Sequence, residues 1–297
     1  MNPDRRGLIV GAGSALLASA SVGLGTPAFA DEPRLTLNGQ WRQGGFAFGR
    51  TWPRAAIHVD GEPLTAASER GLFVVGFDRD AGPATTIEAR SGLTTLTRTL
   101  DIAPGTFPES RIDGLPPATV EPSDPALLER IKEEAALKAI GFASKIDSDD
   151  FRDGFVWPLA EYRISSLWGA QRILNGTLAR PHYGIDLAAP EGTPIHAPAA
   201  GVVAFSRSGM HFEGGLVLID HGQGLVSCYL HQSQINVAVG QRLARGEEIG
   251  RVGMEGRATG PHLCWRMKWR DRNLDPSRMV GAAVPVMGES ATPGQQA

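Results

Sequence analysis

The sequence predicts a mainly β protein with a small N-terminal β-sandwich, a linker helix and a C-terminal antiparallel β-sheet domain. Three observations support this prediction. Turn formers are abundant, with 37 Gly and 21 Pro in 297 residues. Short runs of alternating apolar and polar residues recur between the turns, and one segment has apolar residues at helical spacing. The length and the hydrophobic content of 42% are sufficient for about two domains with buried cores.

The charge composition excludes some classes of function. The formal net charge is −3, and no dense run of Lys and Arg is present. Nucleic acid is therefore not expected as a partner, because its binding depends on a concentration of positive charge.

Residues 1–30 have the features of a signal peptide. A charged start precedes an apolar, Gly/Ala-rich run and the small-x-small motif AFA, so we expect cleavage before Asp31. Arg5 and Arg6 stand just ahead of the apolar run, which indicates the twin-arginine route. No other apolar run approaches the roughly 18 residues that span a bilayer. The sequence therefore predicts an exported protein with no stable membrane insertion after cleavage.

Residues 31–104 predict the β-sandwich, an accessory domain. In the segment AAIHVDGEPL, Ile57 and Val59 share one face before a turn at Asp60-Gly61. In TLTRTLDI, the apolar residues alternate with Thr and Asp in the same way. His58 is isolated, so we expect a binding or spacer module and not a catalytic one.

Residues 105–150 predict a proline-rich linker and a helix. The stretch 105–124 contains too much proline to favour either regular element. Ser123 and Asp124 ahead of Pro125 predict a helix start, and Gly141 predicts its end. The apolar stripe predicted for the helix consists of Leu127, Leu128, Ile131 and Ala135. Residues 151–284 predict the second β domain, and residues 285–297 are small and polar, which predicts a disordered tail.

Candidate metal ligands occur in two segments of the second domain. In RPHYGIDLAAP, His182, Gly184 and Asp186 would point to one side of an extended segment, and the glycine would leave that side open. In PHLCW, His262 and Cys264 share one face of a strand. A catalytic zinc requires three protein ligands and one open position. His182, Asp186 and Cys264 supply three, which predicts one Zn²⁺ per chain.

A disulfide is the alternative for Cys264, because the chain has two cysteines and is expected to be exported. The segment LVLIDHGQGLVSCYLHQS predicts a hairpin whose second strand carries Cys228 and ends at His231. If that strand has no bulge, strict alternation places Cys228 on the face opposite His231. If His231 and His262 both face the site, Cys264 faces it too, and a disulfide would have to cross the sheet. This hypothesis disfavours the disulfide without excluding it.

Four segments in order carry a family resemblance: RISSLWGAQRILNGTLARPHYGIDLAAPEGTPIHAPAAGVV, GLVLIDHGQGLVSCYLHQS, VAVGQRLARGEEIGRVG and TGPHLCW. Over about residues 151–280 the chain resembles the lysostaphin-type, or LytM-domain, zinc endopeptidases. The resemblance implies an antiparallel sheet with a groove, zinc at the groove floor, and cleavage of peptide cross-links of peptidoglycan, at bonds involving D-alanine. The N-terminal domain resembles the accessory module of exported Gram-negative members, which implies a periplasmic location.

The resemblance also implies roles for individual residues. The family's His-x-x-x-Asp corresponds to His182 and Asp186 as metal ligands, and its catalytic histidines correspond to His231 and His262. The third ligand of the family's His-x-His motif is here Cys264, a departure at a metal ligand. The remaining histidines of this domain, which lie in predicted loops and turns, are expected to have surface or turn roles: His196, His211 and His221.

Two functions follow as alternatives. The first is an exported zinc metalloendopeptidase whose partners are peptidoglycan stem peptides. The second is a catalytically degenerate LytM domain that binds the cell wall or activates another wall hydrolase, which Cys264 alone favours. A lipoyl-like carrier barrel, suggested by VAVGQRLARGEEIG, is set aside because no lysine occupies the hairpin tip. A divisome or hydrolase partner cannot be specified from the sequence.

Overall fold

The computed structural model describes residues 35–281 and Ser290–Ala291. The predicted signal peptide, residues 1–30, lies outside the described residues, as does the predicted tail apart from Ser290–Ala291. The described chain consists mostly of antiparallel strands, which confirms the predicted fold class. Among the described residues, no helix combines the length and apolar composition needed to cross a bilayer.

The N-terminal segment forms two antiparallel sheets of three and four strands, ordered β1-β2-β5 and β4-β3-β6-β7. The alternation predicted there is present: Ile57 and Val59 are buried, and Asp60 and Gly61 form the hairpin turn with positive φ angles of 51° and 85°. The strands are β1 Thr36–Gln40, β2 Phe46–Arg50, β3 Ala56–Val59, β4 Glu62–Ala66, β5 Leu72–Gly76, β6 Ala84–Ser91 and β7 Thr94–Asp101.

The segment predicted as an irregular linker contains regular structure. Strand β8 (Glu109–Ile112) pairs in parallel with β10 (Gln171–Leu174), and Pro117–Val120 form one helical turn, α1. The prediction failed because proline disfavours regular structure but is tolerated at the first turn of a helix, where its missing N–H is not needed. No proline lies within β8 itself.

Helix α2 (Pro125–Phe142) begins where the sequence predicts, with the Asp124 carboxylate accepting a hydrogen bond from Leu127 N at 2.8 Å. Its predicted apolar stripe is wrong, because Leu128 is 45% exposed while Glu134 and Gly141 are buried. Gly141 does not end the helix; a Cβ there would lie 2.8 Å from Leu218 Cδ1 and from Phe205 Cβ. Glycine therefore allows α2 to approach the sheet below it.

A nine-stranded sheet organises the C-terminal segment, with order β18-β14-β15-β16-β20-β12-β9-β22 and β21 paired to β20. Smaller sheets, β13-β19-β17 and β11-β10-β8, flank it. The remaining strands are β9 Tyr162–Ser166, β11 Thr177–Leu178, β12 Gly184–Ala188, β13 Pro194–His196, β14 Gly201–Met210, β15 Gly214–Asp220, β16 Leu225–Gln232, β17 Gln234–Ile235, β18 Arg242–Leu243, β19 Glu248–Arg251, β20 His262–Trp269, β21 Arg272–Leu274 and β22 Ser290–Ala291. A 3₁₀ turn (Asp150–Asp153) precedes β9, and a helical turn α3 (Ser277–Val280) follows β21.

The two faces of this sheet differ along β16 and β20. Tyr229, Trp265 and Trp269 face the main hydrophobic core, which also contains residues of the N-terminal sheets. Cys228, Leu230 and Cys264 face the other way, into a second and smaller cluster. We call this second side the site face, because it carries the candidate ligand Cys264.

Candidate metal centre

Asp186 and Cys264 lie side by side on the site face. They are directly paired residues of the antiparallel strands β12 and β20. Ser166 of β9 pairs with Asp186 on its other side, and Leu230 of β16 pairs with Cys264. Directly paired side chains on one face lie about 4.5–5.5 Å apart at Cβ. Strand register therefore brings a carboxylate and a thiol together without any loop.

His182 precedes β12 and completes the cluster. Its Nε2 lies 3.1 Å from Asp186 Oδ1 and 3.3 Å from Cys264 Sγ. Its Nδ1 lies 3.0 Å from Ser166 Oγ, a hydrogen bond that fixes the ring and leaves Nε2 directed at the other two side chains. One ligand atom from each of His182, Asp186 and Cys264 lies within 4.8 Å of the others, and all three residues are buried.

Gly184 keeps the space beside the cluster open, as the sequence pattern suggests. A Cβ at this position would lie 2.7 Å from Cys264 Sγ and 2.8 Å from Arg266 Cγ. Any larger residue would therefore displace the thiol. The glycine is required by close approach and not by its backbone angles, since its φ is not among the positive values.

The donor set fits a divalent metal. Asp186 Oδ1 is buried and makes no hydrogen bond of acceptable geometry, although His182 Nε2 is only 3.1 Å away. A buried carboxylate oxygen without a hydrogen bond is costly unless another ligand satisfies it. Imidazole nitrogen, carboxylate oxygen and thiolate sulfur are all ligands of tetrahedral zinc sites. The residues present therefore fit a three-ligand zinc site.

Two arginines that the sequence analysis did not select contact the ligands. Arg172 Nη2 donates to Asp186 Oδ2 at 3.3 Å, and Arg266 Nε donates to Cys264 Sγ at 3.3 Å. Arg266 stands two residues after Cys264 on β20, so strand alternation alone could have placed it on the same face. Arg172 lies on β10, and no pattern in the sequence indicates that β10 approaches Asp186.

His231 and His262 stand beside the cluster with their rings 4.7 Å apart. His262 Nε2 lies 3.8 Å from Asp186 Oδ1. The Nδ1 of His231 lies 2.7 Å from the carbonyl oxygen of Glu255, and the Nδ1 of His262 lies 2.8 Å from that of Gly260. A carbonyl only accepts, so each Nδ1 carries the proton, and each neutral ring presents the lone pair of Nε2.

Burial lowers the pKa of both histidines. For His231, burial outweighs the hydrogen bond to Glu255 and the charge of Asp186, and its pKa falls to about 4. For His262, burial again lowers the pKa, partly opposed by Asp186. Asp186 shows the opposite balance: burial raises its pKa, but His182, His262 and Arg172 hold it well below its usual range. The carboxylate is therefore charged while the two imidazoles are neutral.

The parity argument for Cys228 is wrong. Cys228 lies on the site face with Cys264, in the same apolar cluster, and both thiols are free. His231 has a φ of 67°, and the β15–β16 register shifts beside it, so a bulge interrupts the alternation between residues 228 and 231. Burial raises the pKa of Cys228 to about 12, and this thiol therefore stays protonated.

The other histidines of this domain lie outside the cluster. His211 Nε2 contacts the carbonyl oxygen of Ala118, and His196 pairs with Glu248 in a flanking sheet. His221, expected to have a surface or turn role, stands beside the β15–β16 turn but is fully buried, with Nε2 2.7 Å from Ser227 Oγ and Nδ1 2.6 Å from the Ala200 carbonyl oxygen. The turn prediction fails to detect this burial because Phe155 packs against the ring from a distant segment.

The comparison with protein families covers this same region. Residues 180–276, which contain all five site residues at 182, 186, 231, 262 and 264, match peptidase family M23. This part of the chain is a peptidase M23 domain. The expected resemblance to lysostaphin-type peptidases is confirmed by this match.

Relatives of the M23 domain include two curated bacterial enzymes. Over 128 residues the chain is 38% identical to the peptidoglycan DD-endopeptidase ShyA of Vibrio cholerae, covering 43% of this chain and 29% of that protein. Over 136 residues it is 40% identical to the DD-carboxypeptidase/endopeptidase Mpg of Neisseria meningitidis, covering 45% of this chain and 30% of that protein. The chain thus spans less than a third of the length of these relatives.

A solved structure extends the likeness beyond the M23 domain. A chain from Pseudomonas aeruginosa described as a peptidase M23 superposes with a TM-score of 0.65 at 29% identity. The alignment covers 82% of this chain and 96% of that one. The likeness in fold therefore extends to residues outside the M23 match.

Proposed function

We propose that this chain is an exported zinc metalloendopeptidase that cleaves the peptide cross-links of peptidoglycan. The observation that carries the proposal is the convergence of His182, Asp186 and Cys264 within 4.8 Å, beside two histidines whose Nδ1 atoms contact backbone carbonyl oxygens. The substrate class is supported by the name of the relative ShyA, a peptidoglycan DD-endopeptidase, and the endopeptidase activity by the names of both ShyA and Mpg.

His182 Nε2, an oxygen of Asp186 and Cys264 Sγ would hold the zinc. A bound zinc supplies Lewis acidity, which polarises a peptide carbonyl and lowers the pKa of a water ligand. Ser166 holds the ring of His182, and Arg172 holds the second oxygen of Asp186. These contacts keep the ligands in place and leave fewer conformations to be lost on binding.

The two unligated histidines would handle protons and charge. His231, with its pKa lowered to about 4, is neutral at physiological pH, and its Nε2 can accept a proton from the attacking water. His262, whose Nδ1–H is held by Gly260, keeps its Nε2 near Asp186 and close to the same site. Once protonated, either ring can donate to the oxyanion or to the leaving amine.

Export is part of this proposal and rests on the pattern in residues 1–30. A cleaved signal peptide would deliver the M23 domain to the periplasm, where peptidoglycan is accessible. N-terminal sequencing of the protein recovered from a periplasmic fraction tests this point. A mature chain that begins at Asp31 supports export, and an uncleaved chain in the cytoplasmic fraction contradicts it.

A second candidate function is a degenerate M23 domain that binds the wall or activates another wall hydrolase. The observation that favours it is the pair of arginine contacts, because Arg172 and Arg266 each satisfy one prospective ligand. A buried carboxylate and a sulfur that are already paired with cations have less need of a metal.

Metal content and peptidoglycan digestion together distinguish the two functions. About one zinc per purified chain, with release of soluble fragments from purified peptidoglycan, supports the peptidase. The variant His231→Ala should keep the metal and lose the release, because His231 is not a ligand. A purified chain that contains no metal, releases no fragments and still binds peptidoglycan would contradict the peptidase and support the degenerate domain.

A further inference from the structure

A separate cavity of about 190 Å³ opens on the site face between helix α2 and strand β20. Lys138 and Phe142 of α2 form one wall, and Arg266 and Lys268 of β20 form the floor. Polar side chains, among them Glu213, and apolar side chains of neighbouring strands, among them Leu216, complete the lining. The cavity has room for a group about the size of an amino-acid side chain.

Two cations in this cavity form no ion pair with a carboxylate among residues 35–281. Arg266 donates its Nε–H to Cys264 Sγ, which leaves the rest of its guanidinium without a hydrogen bond. Lys268 Nζ lies over the ring of Phe142 at 5.1 Å and makes no ion pair. The third cation, Lys138, is already paired with Glu213. The cationic side chains that line the cavity therefore outnumber its one carboxylate, which favours an anion.

The cavity lies in register with the candidate metal centre. Cys264, Arg266 and Lys268 alternate on the same face of β20, so they form a line that leads away from the ligands. Four residues of strand place Lys268 about 13 Å from Cys264. An extended peptide spans that distance with about four residues. A peptide bound at the metal centre can therefore place a group several residues from its scissile bond in this cavity.

The helix wall lies outside the M23 match. Lys138 and Phe142 precede residue 180, where the match begins. Helix α2 is held against the sheet by polar contacts: Glu134 accepts from His211 N at 2.9 Å, and Arg130 donates to the Gly209 carbonyl oxygen at 2.6 Å. The linker thus contributes a fixed wall to a cavity that the M23 domain alone does not enclose.

We propose that this cavity is a specificity subsite that binds a free carboxylate of the substrate peptide, with Lys268 and Arg266 as its anion-binding residues. The proposal rests on the proposed function for the identity of the substrate. A carboxylate on a short aliphatic stem fits best, because cationic donors occupy the floor while Phe142 and Leu216 present apolar surface. Charge-assisted hydrogen bonds to such a carboxylate are stronger than neutral ones.

The test compares soluble peptidoglycan fragments with and without free carboxylates. Lysozyme releases the fragments from peptidoglycan. The carboxylates of one half of the preparation are converted to amides with a carbodiimide and ammonia. Dissociation constants for both preparations are measured by calorimetry with the full-length mature protein carrying His231→Ala, which prevents turnover. The variants are Lys268→Met, Lys268→Arg and the control Lys132→Met, whose side chain is 78% exposed on α2. Thermal melting of each variant verifies folding.

We expect the chain that carries His231→Ala alone to bind native fragments about tenfold more tightly than amidated fragments. Lys268→Met should bring that ratio close to one, Lys268→Arg should restore it, and Lys132→Met should leave it unchanged. A ratio near one without any change at Lys268, or a full ratio in Lys268→Met, would overturn the subsite.

The outcome for the subsite is separate from that for the peptidase. Wild-type chain that releases fragments from native and amidated peptidoglycan equally well would support the peptidase and overturn the subsite. A carboxylate-dependent binding ratio that Lys268→Met abolishes would support the subsite whether or not fragments are released. Failure of the wild-type chain to release fragments would overturn the peptidase alone.

Discussion

Asp186 and Cys264 are direct cross-strand partners on β12 and β20, and His182 Nε2 stands within 3.3 Å of both side chains. Two of the three candidate ligands are thus positioned by the hydrogen-bonded ladder of the central sheet. A sheet in the middle of a domain is among its most rigid parts, so little reorganisation is needed when a ligand set is built on it. The third ligand is fixed by its hydrogen bond to Ser166.

Replacing the thiolate with imidazole should change the charge of the site. With Cys264 as thiolate, zinc and its ligands sum to zero, whereas Cys264→His gives +1. A more positive site makes a zinc-bound water more acidic. We expect the acid limb of the pH–rate profile for peptidoglycan digestion to move down by roughly one unit in Cys264→His. The control Cys228→Ser should retain the metal; an unchanged pH profile in Cys264→His would contradict the charge argument.

Filling the space beside the thiol should damage the site more than the fold. In Gly184→Ala, the new Cβ would stand 2.7 Å from Cys264 Sγ and must displace it. We expect zinc affinity, measured by competition with a chromophoric chelator, to fall about tenfold or more. Gly61→Ala is the control, because nothing lies within 4 Å of a Cβ at that position. An alanine at the positive φ of Gly61 lowers the stability of the protein but does not approach the site. Equal zinc affinities in the two variants would count against the site.

Removing Arg172 tests whether this arginine orients Asp186 for metal binding or takes the place of a metal. Arg172 Nη2 contacts Asp186 Oδ2 at 3.3 Å, and we infer that it orients the carboxylate. In Arg172→Met, zinc affinity should fall by about tenfold, as for other residues that orient ligands. The exposed Arg180 provides the control variant Arg180→Met. An increase in zinc affinity in Arg172→Met would show instead that the arginine competes with the metal.

Buried histidines should make the metal-free protein less stable as the pH falls. The pKa of His231 is about 4 in the folded chain and near 6.5 when unfolded, so the unfolded state binds more protons between these values. This part of the stability is fully present above pH 6.5 and is lost progressively as the pH falls towards 4. Each such histidine contributes a slope of at most about 1.4 kcal/mol per pH unit. His221 and His262, whose pKa values are also lowered by burial, act in the same direction.

Urea unfolding in the presence of a chelator between pH 7.5 and 5 measures this slope. His231→Gln should reduce the slope by up to about 1.4 kcal/mol per pH unit, the contribution of one proton, because glutamine does not titrate. His58→Gln is the control, since His58 lies on β3 in the N-terminal sheets and its Nδ1 contacts the Gly61 carbonyl oxygen. If His231→Gln and His58→Gln have the same slope as the unmodified chain, His231 does not carry the lowered pKa.

Several features of the site were accessible from the sequence because they depend on short spacings. His182, Gly184 and Asp186 fall within five residues, and His262 and Cys264 within three, so local chain geometry fixes which of them can share a face. The hairpin predicted from LVLIDHGQGLVSCYLHQS is present as β15 and β16, and Gly222 and Gly224 adopt positive φ in its turn. The roles of His231 and His262 followed from the family resemblance, and they remain predictions.

The sequence by itself determined the mainly β fold, the M23 domain and the types of ligand available, since alternation, turn residues and motif spacing are local properties. Tertiary structure decided which side chains meet. The β16–β20 register puts Cys228 and Cys264 on one face, and the bulge at His231 breaks the alternation that was expected between Cys228 and His231. The approach of β10 brings Arg172 to Asp186, and α2 docks through polar residues that no apolar stripe reveals. These contacts join residues far apart in the chain, and their free energy depends on packing that a local pattern does not contain.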